Sequence, residues 1–280
     1  MCFLEQKITD DTHIMISEVV SFISSNDEAN LNKILFGMVC VAAVVFVALF
    51  YVTAGYGMFT TKTWGITIPN RIAWMLMEAS VFFVMAFSYL YSSRRSNVAI
   101  FIMFMLFEIH YFQRSFIFPF LFKTKSRMPI LIMLMGITFN CFNGYIQGKW
   151  LFYVSPEEMY TKDWLKTPQF IIGTIIFFLG MFINCHSDHV IRNLRKPGDT
   201  RHYLPQKGMY KYVTSANYFG EIVEWTGFAI LTWSKSGLVF VIWTIANLVP
   251  RANSLWKRYK VQFKEEFAQL NPKRILPYIY

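Results

Sequence analysis

Residues 171–199 read IIGTIIFFLGMFINCHSDHVIRNLRKPGD, and this stretch passes from an apolar run into a dense set of polar side chains. The run 171–183 carries no charge, and about 20 predominantly apolar residues in a helix cross the hydrocarbon core of a bilayer. It ends in Asn184, His186, Asp188, Arg192 and Arg195. The stretch therefore predicts a membrane-spanning helix whose last turns carry a specific polar site.

The rest of the chain has the composition of a membrane protein. Of its 280 residues, 55% are hydrophobic and 16% are charged, against about 25% charged in an ordinary globular domain. Its mean hydropathy is +0.35. Apolar stretches of nearly spanning length recur at 34–54, 71–91, 98–122, 129–147, 168–188, 217–234 and 236–250. We expect an all-α, polytopic integral membrane protein with seven transmembrane helices.

The distribution of basic residues predicts the orientation. Most of the 27 lysines and arginines fall in alternate connections and in the segment after residue 250. Since cytoplasmic connections are enriched in Lys and Arg, we expect an external N-terminus and a cytoplasmic C-terminus. The formal charge of +10 then reflects topology and contact with lipid headgroups, and it requires no nucleic acid.

The flanking segments and cysteines suggest one membrane domain. Residues 1–33 form an N-terminal segment in which MISEVVSFI is expected to be an interfacial helix, and they lack the pattern of a cleavable signal. Residues 34–250 form the seven-span domain. The four cysteines are scattered without metal-ligand spacing, so we expect free thiols, no disulfide and no metal site.

One polar face lies at the end of the fifth span. At 3.6 residues per turn, Asn184, Asp188 and Arg195 share a face as the helix leaves the membrane. A solvated helix end is the alternative explanation, but Asn184 lies too deep for it.

A second polar face lies in the sixth span. Asn217, Glu221 and Glu224 share it, with Trp225 beside them. Two carboxylates within an apolar segment must be paired, hydrogen-bonded or protonated. They indicate either a structural network between helices or a ligand site.

Acidic and basic groups also occur within the second and third spans. Glu78 lies near the middle of one, and FEIHYFQRSF at 107–116 places Glu108, His110, Tyr111 and Arg114 in the other. A tyrosine hydroxyl beside a carboxylate can donate a hydrogen bond to a carbonyl oxygen and stabilise negative charge on it. Ionisable groups within a membrane are costly and mark functional sites, so together these faces predict an intramembrane polar cavity.

Basic segments at one side of the membrane suit a phosphate-rich ligand. KTKSR at 123–127, which begins with Lys123, and RNLRKPGDTRHYLPQKG at 192–208 are expected to face the same side, where Lys and Arg would meet phosphate. The sequence has neither GxGxxG after a strand nor a Walker motif. A bound nucleotide would therefore occupy a helical site.

Several long motifs resemble the steroid 5α-reductase family. They are NCHSDHVIRNLRKPGD, YLPQKGMYKYVTSANYFGEIVEWTGFA and RILPYIY, with GYG, WMLME, IHYFQRSF and NGYIQG upstream. The resemblance covers nearly the whole chain after its first 30 residues. It implies a seven-helix membrane enzyme that uses NADPH to reduce the 4,5 double bond of 3-oxo-4-ene steroids.

The resemblance also implies roles for particular residues. Glu78 and Tyr111 are the catalytic pair that holds the 3-keto oxygen, with Glu78 protonated or hydrogen-bonded to Tyr111. Trp74, Phe139 and Trp225 line the apolar substrate pocket. The residues assigned to the cofactor are Arg114, Lys123, Asn184, Asp188, Arg195, Tyr203, Asn217, Glu221, Arg251 and Tyr259, so that residues 251–280 form a cytoplasmic segment contributing to the cofactor site.

Two other functions remain open from the sequence. One is an enoyl thioester or polyprenol reductase, which would use the same cofactor on a longer substrate. The other is a non-enzymatic lipid transporter with buried acids, although no inverted repeat of the kind found in transporters is visible. We expect a monomer in the endoplasmic reticulum of a eukaryote or the inner membrane of a bacterium.

Overall fold

The computed structural model describes residues 21, 25–53, 55, 59, 64–123, 126–195 and 201–280. These described residues form a bundle of seven long helices and one short C-terminal helix. They are α1 (Glu28–Tyr51), α2 (Asn70–Leu90), α3 (Val98–Phe112), α4 (Ile130–Lys149), α5 (Pro168–Arg192), α6 (Ala216–Thr232), α7 (Lys235–Gln262) and α8 (Lys264–Leu270). The predicted interfacial helix MISEVVSFI falls almost entirely outside the described residues.

Shorter elements join or extend these helices. Strands β1 (Thr67–Pro69) and β2 (Arg127–Pro129) pair in antiparallel fashion. Two π-helical turns, Gln113–Ile117 and Trp150–Val154, continue α3 and α4. The 3-10 turns are Ser93–Ser96, Phe118–Leu121, Lys162–Lys166 and Gly208–Lys211.

The polytopic all-helical prediction is confirmed, and the number of spans stays a prediction. Six of the helices are long and apolar enough to cross a membrane: Glu28–Tyr51, Asn70–Leu90, Val98–Leu121, Ile130–Val154, Pro168–Arg192 and Lys235–Gln262. The remaining one, α6, has 17 residues, short of the roughly 20 that span a bilayer. It nevertheless packs against α5, from Gly173 beside Leu231 to Asp188 beside Asn217.

Glycines allow α5 and α6 to pack with their backbones in contact. Gly173 and Gly180 on α5 face the backbone of Leu231 and Glu224, and Gly227 on α6 faces Phe177. A Cβ atom at any of these glycines would overlap a backbone nitrogen of the opposite helix. Small residues at seven-residue spacing permit such close approach in membrane bundles. This contact brings the polar end of α5 against the polar start of α6.

The connections lie at alternate ends of the bundle, as the basic residues predict. At one end β1 pairs with β2, so the segments before α2 and α4 are neighbours. Lys123, after α3, donates to Asn193 Oδ1 after α5 at 2.7 Å, at the same end. At the other end Lys235, which begins α7, bonds Glu28, which begins α1. The two basic segments predicted to share a side therefore do so.

The last long helix extends beyond its predicted end. α7 contains Pro250 in its interior and continues to Gln262, whereas the hydropathy of the sequence places the end of the span at residue 250. The first part of the predicted C-terminal segment is therefore helical. It carries Arg251 and Tyr259 on the same rigid element as the final span.

Candidate functional site

A buried ion pair joins the end of the third span to α5. The π turn Gln113–Ile117 holds Arg114, and π turns are frequent at functional sites. Arg114 Nη1 donates to Asp188 Oδ2 at 2.9 Å, and both side chains are less than 10% exposed. The guanidinium also lies 4.2 Å from the ring centroid of Phe118 and 5.0 Å from that of Trp74.

The second oxygen of Asp188 continues the network to α6. Asn217 Nδ2 donates to Asp188 Oδ1 at 3.1 Å, and Asn184 Nδ2 donates to the Asn217 carbonyl at 2.9 Å. Tyr210 donates its hydroxyl hydrogen to Asn217 Oδ1 at 3.4 Å. The predicted polar faces of α5 and α6 thus meet as one network.

A second buried pair lies one turn deeper. His110 Nδ1 on α3 is 2.7 Å from Glu224 Oε1 on α6, and Glu224 is fully buried. The His110 ring packs edge-on against Trp225 with centroids 4.5 Å apart. The sequence predicted either a ligand site or a structural network between helices on this face of α6. Glu224 belongs to a contact between helices, as in a structural network.

Tyr111 is fixed by an amide from α4 and by an aromatic ring from α6. Asn143 Nδ2 donates to the Tyr111 hydroxyl oxygen at 3.2 Å, and Gln147 Nε2 in turn donates to Asn143 Oδ1 at 3.3 Å. The Tyr111 ring stacks on Trp225 at 5.6 Å. Because Asn143 occupies the hydroxyl oxygen as a donor, the hydroxyl hydrogen remains available to a ligand.

Glu78 lies beside this pair without bonding directly to Tyr111. Its carboxylate lies near Asn140, whose Nδ2 donates to the Met77 carbonyl at 2.8 Å, and near the charges of Arg114 and His110. Tyr111 and Glu78 are electrostatic neighbours, whereas the hydrogen-bond partner of the Tyr111 hydroxyl in the described part of the chain is Asn143. Of the two expectations for Glu78, a hydrogen bond to Tyr111 is not found among the described residues, and protonation stays a prediction.

Glu221 completes the convergence of charges. It interacts with Arg114 and His110 and lies near Glu78 and Glu224. Arg114 interacts with Asp188, Glu221 and Glu78 together. Ionisable groups from α2, the third span, α5 and α6 therefore face one interior region.

Aromatic residues border this region on the α7 side. The rings of Trp225 and Phe240 lie 4.4 Å apart, and Phe139 packs on Trp243 at 4.8 Å and on Phe240 at 6.2 Å. Two of the three residues predicted to line the pocket, Phe139 and Trp225, thus belong to one aromatic wall. The third, Trp74, lies apart from that wall over the Arg114 guanidinium.

The remaining predicted cofactor residues form an outer layer at the loop end. Arg195 contacts His202 Nδ1 at 2.7 Å, and Arg251 Nε donates to the Tyr218 hydroxyl at 2.7 Å. Partial burial and the Arg195 and Arg258 cations lower the pKa of His202, which keeps its ring neutral as an acceptor.

Tyr210 and Tyr259 link the outer layer to Asp188. Tyr259 packs with Leu204 and Phe267 and lies near Arg195. Tyr210 is buried between Asp188 and Tyr259, and that burial, with the neighbouring Asp188 carboxylate, raises the pKa of the Tyr210 hydroxyl. Tyr203 lies within the same loop, with its ring 5.4 Å from the Arg201 guanidinium.

Two residues from the sequence analysis lie apart from the network. Lys123 bonds Asn193, which follows Asp188 by five positions and therefore points to a different side of α5. Glu108 is buried, but neither of its carboxylate oxygens has a hydrogen-bond partner among the described residues. The convergent site therefore uses His110, Tyr111 and Arg114 of the third span.

The sequence analysis missed the polar face of α4. Asn140, Asn143 and Gln147 are buried and occur at spacings of three and four residues, which place them on one helical face. Three buried amides within a span carry the same signal as the faces of α5 and α6. Gln147 donates to Asn143, Asn143 donates to Tyr111, and Asn140 lies near Glu78.

The arrangement fits a large polar ligand beside an apolar one. The Ser187 and Ser215 hydroxyls and Glu224 Oε2 are buried without hydrogen-bond partners among the described residues. Ser187 adjoins Asp188, and Ser215 lies two positions before Asn217. These atoms lie beside the network and could donate hydrogen bonds to, or accept them from, the hydroxyl and amide groups of a ligand.

Comparisons with known proteins give consistent matches. Residues 126–280 match a family model described as 3-oxo-5-alpha-steroid 4-dehydrogenase. The chain is 38% identical over 227 residues to 3-oxo-5-alpha-steroid 4-dehydrogenase 1 of Homo sapiens, across 80% of this chain and 86% of that one. It is 34% identical over 240 residues to steroid 5-alpha-reductase DET2 of Arabidopsis thaliana, across 84% and 90%.

A third relative is similar over its whole length. Steroid 5-alpha-reductase DET2 of Gossypium hirsutum is 32% identical over 260 residues, which cover 91% of this chain and 100% of that protein. The match therefore includes the helices before residue 126 as well as the C-terminal half.

Proposed function

The chain belongs to the 3-oxo-5-alpha-steroid 4-dehydrogenase family, and we propose that it uses NADPH to reduce the 4,5 double bond of 3-oxo-4-ene steroids to 5α-reduced steroids. Its relatives are named as oxidoreductases acting on such steroids. The main observation in support of the proposal is the position of the Tyr111 hydroxyl. It is held by Asn143, stacked on Trp225 and placed beside Glu78 within the bundle.

Tyr111 supplies the electrophilic assistance that conjugate reduction requires. Its hydroxyl donates to the 3-keto oxygen and stabilises the negative charge that develops there. Asn143 and Trp225 fix the ring, so the donor is preorganised before the substrate arrives. Glu78 and its neighbour Asn140 define the other side of the oxygen site.

The inner network binds the reactive half of the dinucleotide. NADPH, when bound, supplies the hydride that the reaction needs. Asp188, Asn217, Asn184 and Glu221 offer the carboxylate and amide groups that recognise hydroxyl and carboxamide groups, and Arg114 orients Asp188 through their ion pair.

The outer layer binds the phosphate-bearing half. Arg195 contacts His202 and lies near Tyr259, and Arg251 donates to the Tyr218 hydroxyl. Guanidinium groups pair with phosphate in bidentate fashion. His202 and Tyr259 lie beside Arg195, and Tyr203 belongs to the same loop. Lys123 is assigned to the rim of the same end.

The bundle architecture suits two ligands of opposite polarity. A steroid partitions into the bilayer and reaches the aromatic wall of Trp225, Phe139 and Phe240 from lipid. The charged cofactor enters from the loop end, which we assign to the cytoplasm of a monomeric enzyme. The membrane is the endoplasmic reticulum in a eukaryote or the inner membrane in a bacterium.

A substrate comparison tests this function. Purified protein is incubated with NADPH and either progesterone or an enoyl-CoA, and NADPH oxidation is followed. We expect oxidation with the steroid. Oxidation with the enoyl-CoA alone would instead support the enoyl thioester alternative, and failure to bind NADPH would support the transporter.

A further inference from the structure

A separate cleft lies at the loop end of α5, on the side away from Asp188. It has a volume of about 500 Å³, within the range of about 300–1,000 Å³ typical of small-molecule sites. Its lining residues are His186, His189, Val190, Asn193, Leu194, Tyr203, Leu204, Gln206 and Lys207. The cleft therefore lies between the last turns of α5 and the segment 203–207.

The helical geometry of α5 separates this cleft from the proposed cofactor network. His186 and Asp188 are two positions apart, which is about 200° around a helix. Asn184 and Asp188 consequently face α6, as their hydrogen bonds require, whereas His186 and His189 face outward and are exposed. The cleft and the inner network of Asn184, Asp188 and Asn217 therefore occupy opposite sides of α5, while Tyr203 of the outer layer also lines the cleft.

The cleft stands at the end of a lipid-exposed stripe. Ile175, Leu179 and Phe182 on α5 are 62%, 52% and 66% exposed. With His186, His189 and Asn193 they follow alternating spacings of four and three residues, which place all six on one helical face. The His186 ring stacks on Phe182 with centroids 5.9 Å apart. One continuous surface thus passes from apolar side chains to polar donors.

The polar end of this surface is positively charged and has unused donors. Lys207 and His186 have no hydrogen-bond or ion-pair partner among the described residues, while Lys123 and Arg192 contact the rim residues Asn193 and His189. None of the nine lining residues that the structure describes is acidic. Gly208, with a φ of +60°, lets the chain cross close over the His186 ring, which closes one side of the cleft.

We propose that this cleft binds the phosphate group of an anionic membrane phospholipid. The acyl chains lie along Ile175, Leu179 and Phe182, and the phosphate meets Lys207 and His186. The stripe favours a lipid over soluble phosphate, because only a lipid covers the apolar and cationic parts together. The inference is independent of the reaction proposed above.

Retention of lipid by the purified full-length protein tests the proposal. Native mass spectrometry in detergent compares dioctanoyl phosphatidic acid with dioctanoylglycerol, which has the same chains and no phosphate. We expect retention of the phosphatidic acid alone by the wild-type protein. Equal retention of the two lipids would overturn the proposal, and this comparison needs no variant.

Variants then locate the site. Lys207→Gln should weaken phosphatidic acid binding roughly fivefold, as expected for the loss of one cation near an anionic headgroup. The control Lys211→Gln removes an exposed lysine four positions away, outside the lining of the cleft, and should leave binding unchanged. Equal effects of the two variants would contradict the assignment.

Competition experiments distinguish a bound phospholipid from bound inorganic phosphate or NADPH. Neither inorganic phosphate nor NADPH should displace the lipid. Displacement by inorganic phosphate at comparable concentration would show that the acyl chains contribute nothing. Displacement by NADPH would show that the cleft belongs to the dinucleotide site, and either result overturns the lipid assignment while leaving the proposed reaction intact.

Discussion

Arg114 and Asp188 are 74 residues apart in the chain, and their side chains meet 2.9 Å apart within the bundle. The pair joins the π turn after α3 to the polar end of α5, and through Asn217 it reaches α6. The ion pair therefore connects the polar faces of the third span, α5 and α6 in one site.

Breaking this pair should destabilise the protein and weaken cofactor binding. Asp188→Asn removes the carboxylate that is hydrogen-bonded to the buried Arg114 guanidinium, and breaking a buried pair costs about 3–5 kcal/mol. We expect a lower melting temperature in detergent and a higher Kd for NADPH. Fluorescence titration and thermal unfolding measure the two effects.

An exposed pair provides the control. Asp163 and Lys166 bond at 2.8 Å with both side chains about 80% exposed, and exposed pairs contribute little. Asp163→Asn should therefore change neither quantity. If Asp188→Asn behaved like Asp163→Asn, the inner ion pair would have no role in binding.

Removing the Tyr111 hydroxyl should lower turnover while preserving the fold. Tyr111→Phe keeps the ring stacked on Trp225, and loss of one oxyanion donor typically costs about 10²–10³ in kcat. Tyr153→Phe is a matched control, since that hydroxyl donates to the Ser88 carbonyl outside the network. Near-normal kcat in Tyr111→Phe would remove Tyr111 from the catalytic role.

Adding one methyl group between α5 and α6 should disturb the site from a distance. The Cβ atom of Gly180→Ala would overlap the Glu224 backbone nitrogen, and overpacking of this kind costs about 1–3 kcal/mol. We expect a lower melting temperature and reduced activity, because Glu224 and Asn184 shift with their helices. Thermal unfolding and steady-state kinetics measure both effects.

Gly37→Ala is the corresponding control on α1. A Cβ atom there meets nothing within 4 Å, so melting temperature and activity should match the wild type. Equal tolerance of both alanines would show that α5 and α6 do not pack through backbone contact.

Acidic pH should lower the folding stability of the protein through protonation of His202 in the outer layer. The pKa of His202 is lowered in the folded protein from the usual histidine value of 6.5. Below about pH 6.5 the unfolded chain therefore takes up the proton more readily than the folded one. Stability contributed by the neutral ring is therefore present above that pH and lost as the pH falls.

The corresponding variant isolates this effect. His202→Gln lacks the titrating ring, so the fall in melting temperature between pH 7.5 and 5.5 should be smaller than in the wild type. An identical fall in both proteins would assign the acid sensitivity to other groups.

The helical architecture and much of the site could be predicted from the sequence, because both depend on the order of apolar and polar residues within single segments. Apolar length predicted the spans, and helical phase correctly grouped Asn184 with Asp188. The resemblance to the steroid reductase family, read from long motifs, is confirmed by relatives that match most of the chain.

The pairings between helices could not be predicted, since phase does not specify which faces meet. His110 with Glu224, and Asn143 with Tyr111, depend on packing that glycines such as Gly180 permit. For the same reason helical phase could not show that the Tyr111 hydroxyl meets Asn143 of α4 and not Glu78 of α2.

Product analysis tests the central claim most directly. The protein is incubated with progesterone and NADPH, and the steroid is examined by mass spectrometry and by chromatography against the two 5-reduced isomers. We predict a product heavier by two hydrogen atoms that co-migrates with the 5α isomer. Unchanged progesterone, recovered from protein that still binds NADPH, would contradict the account.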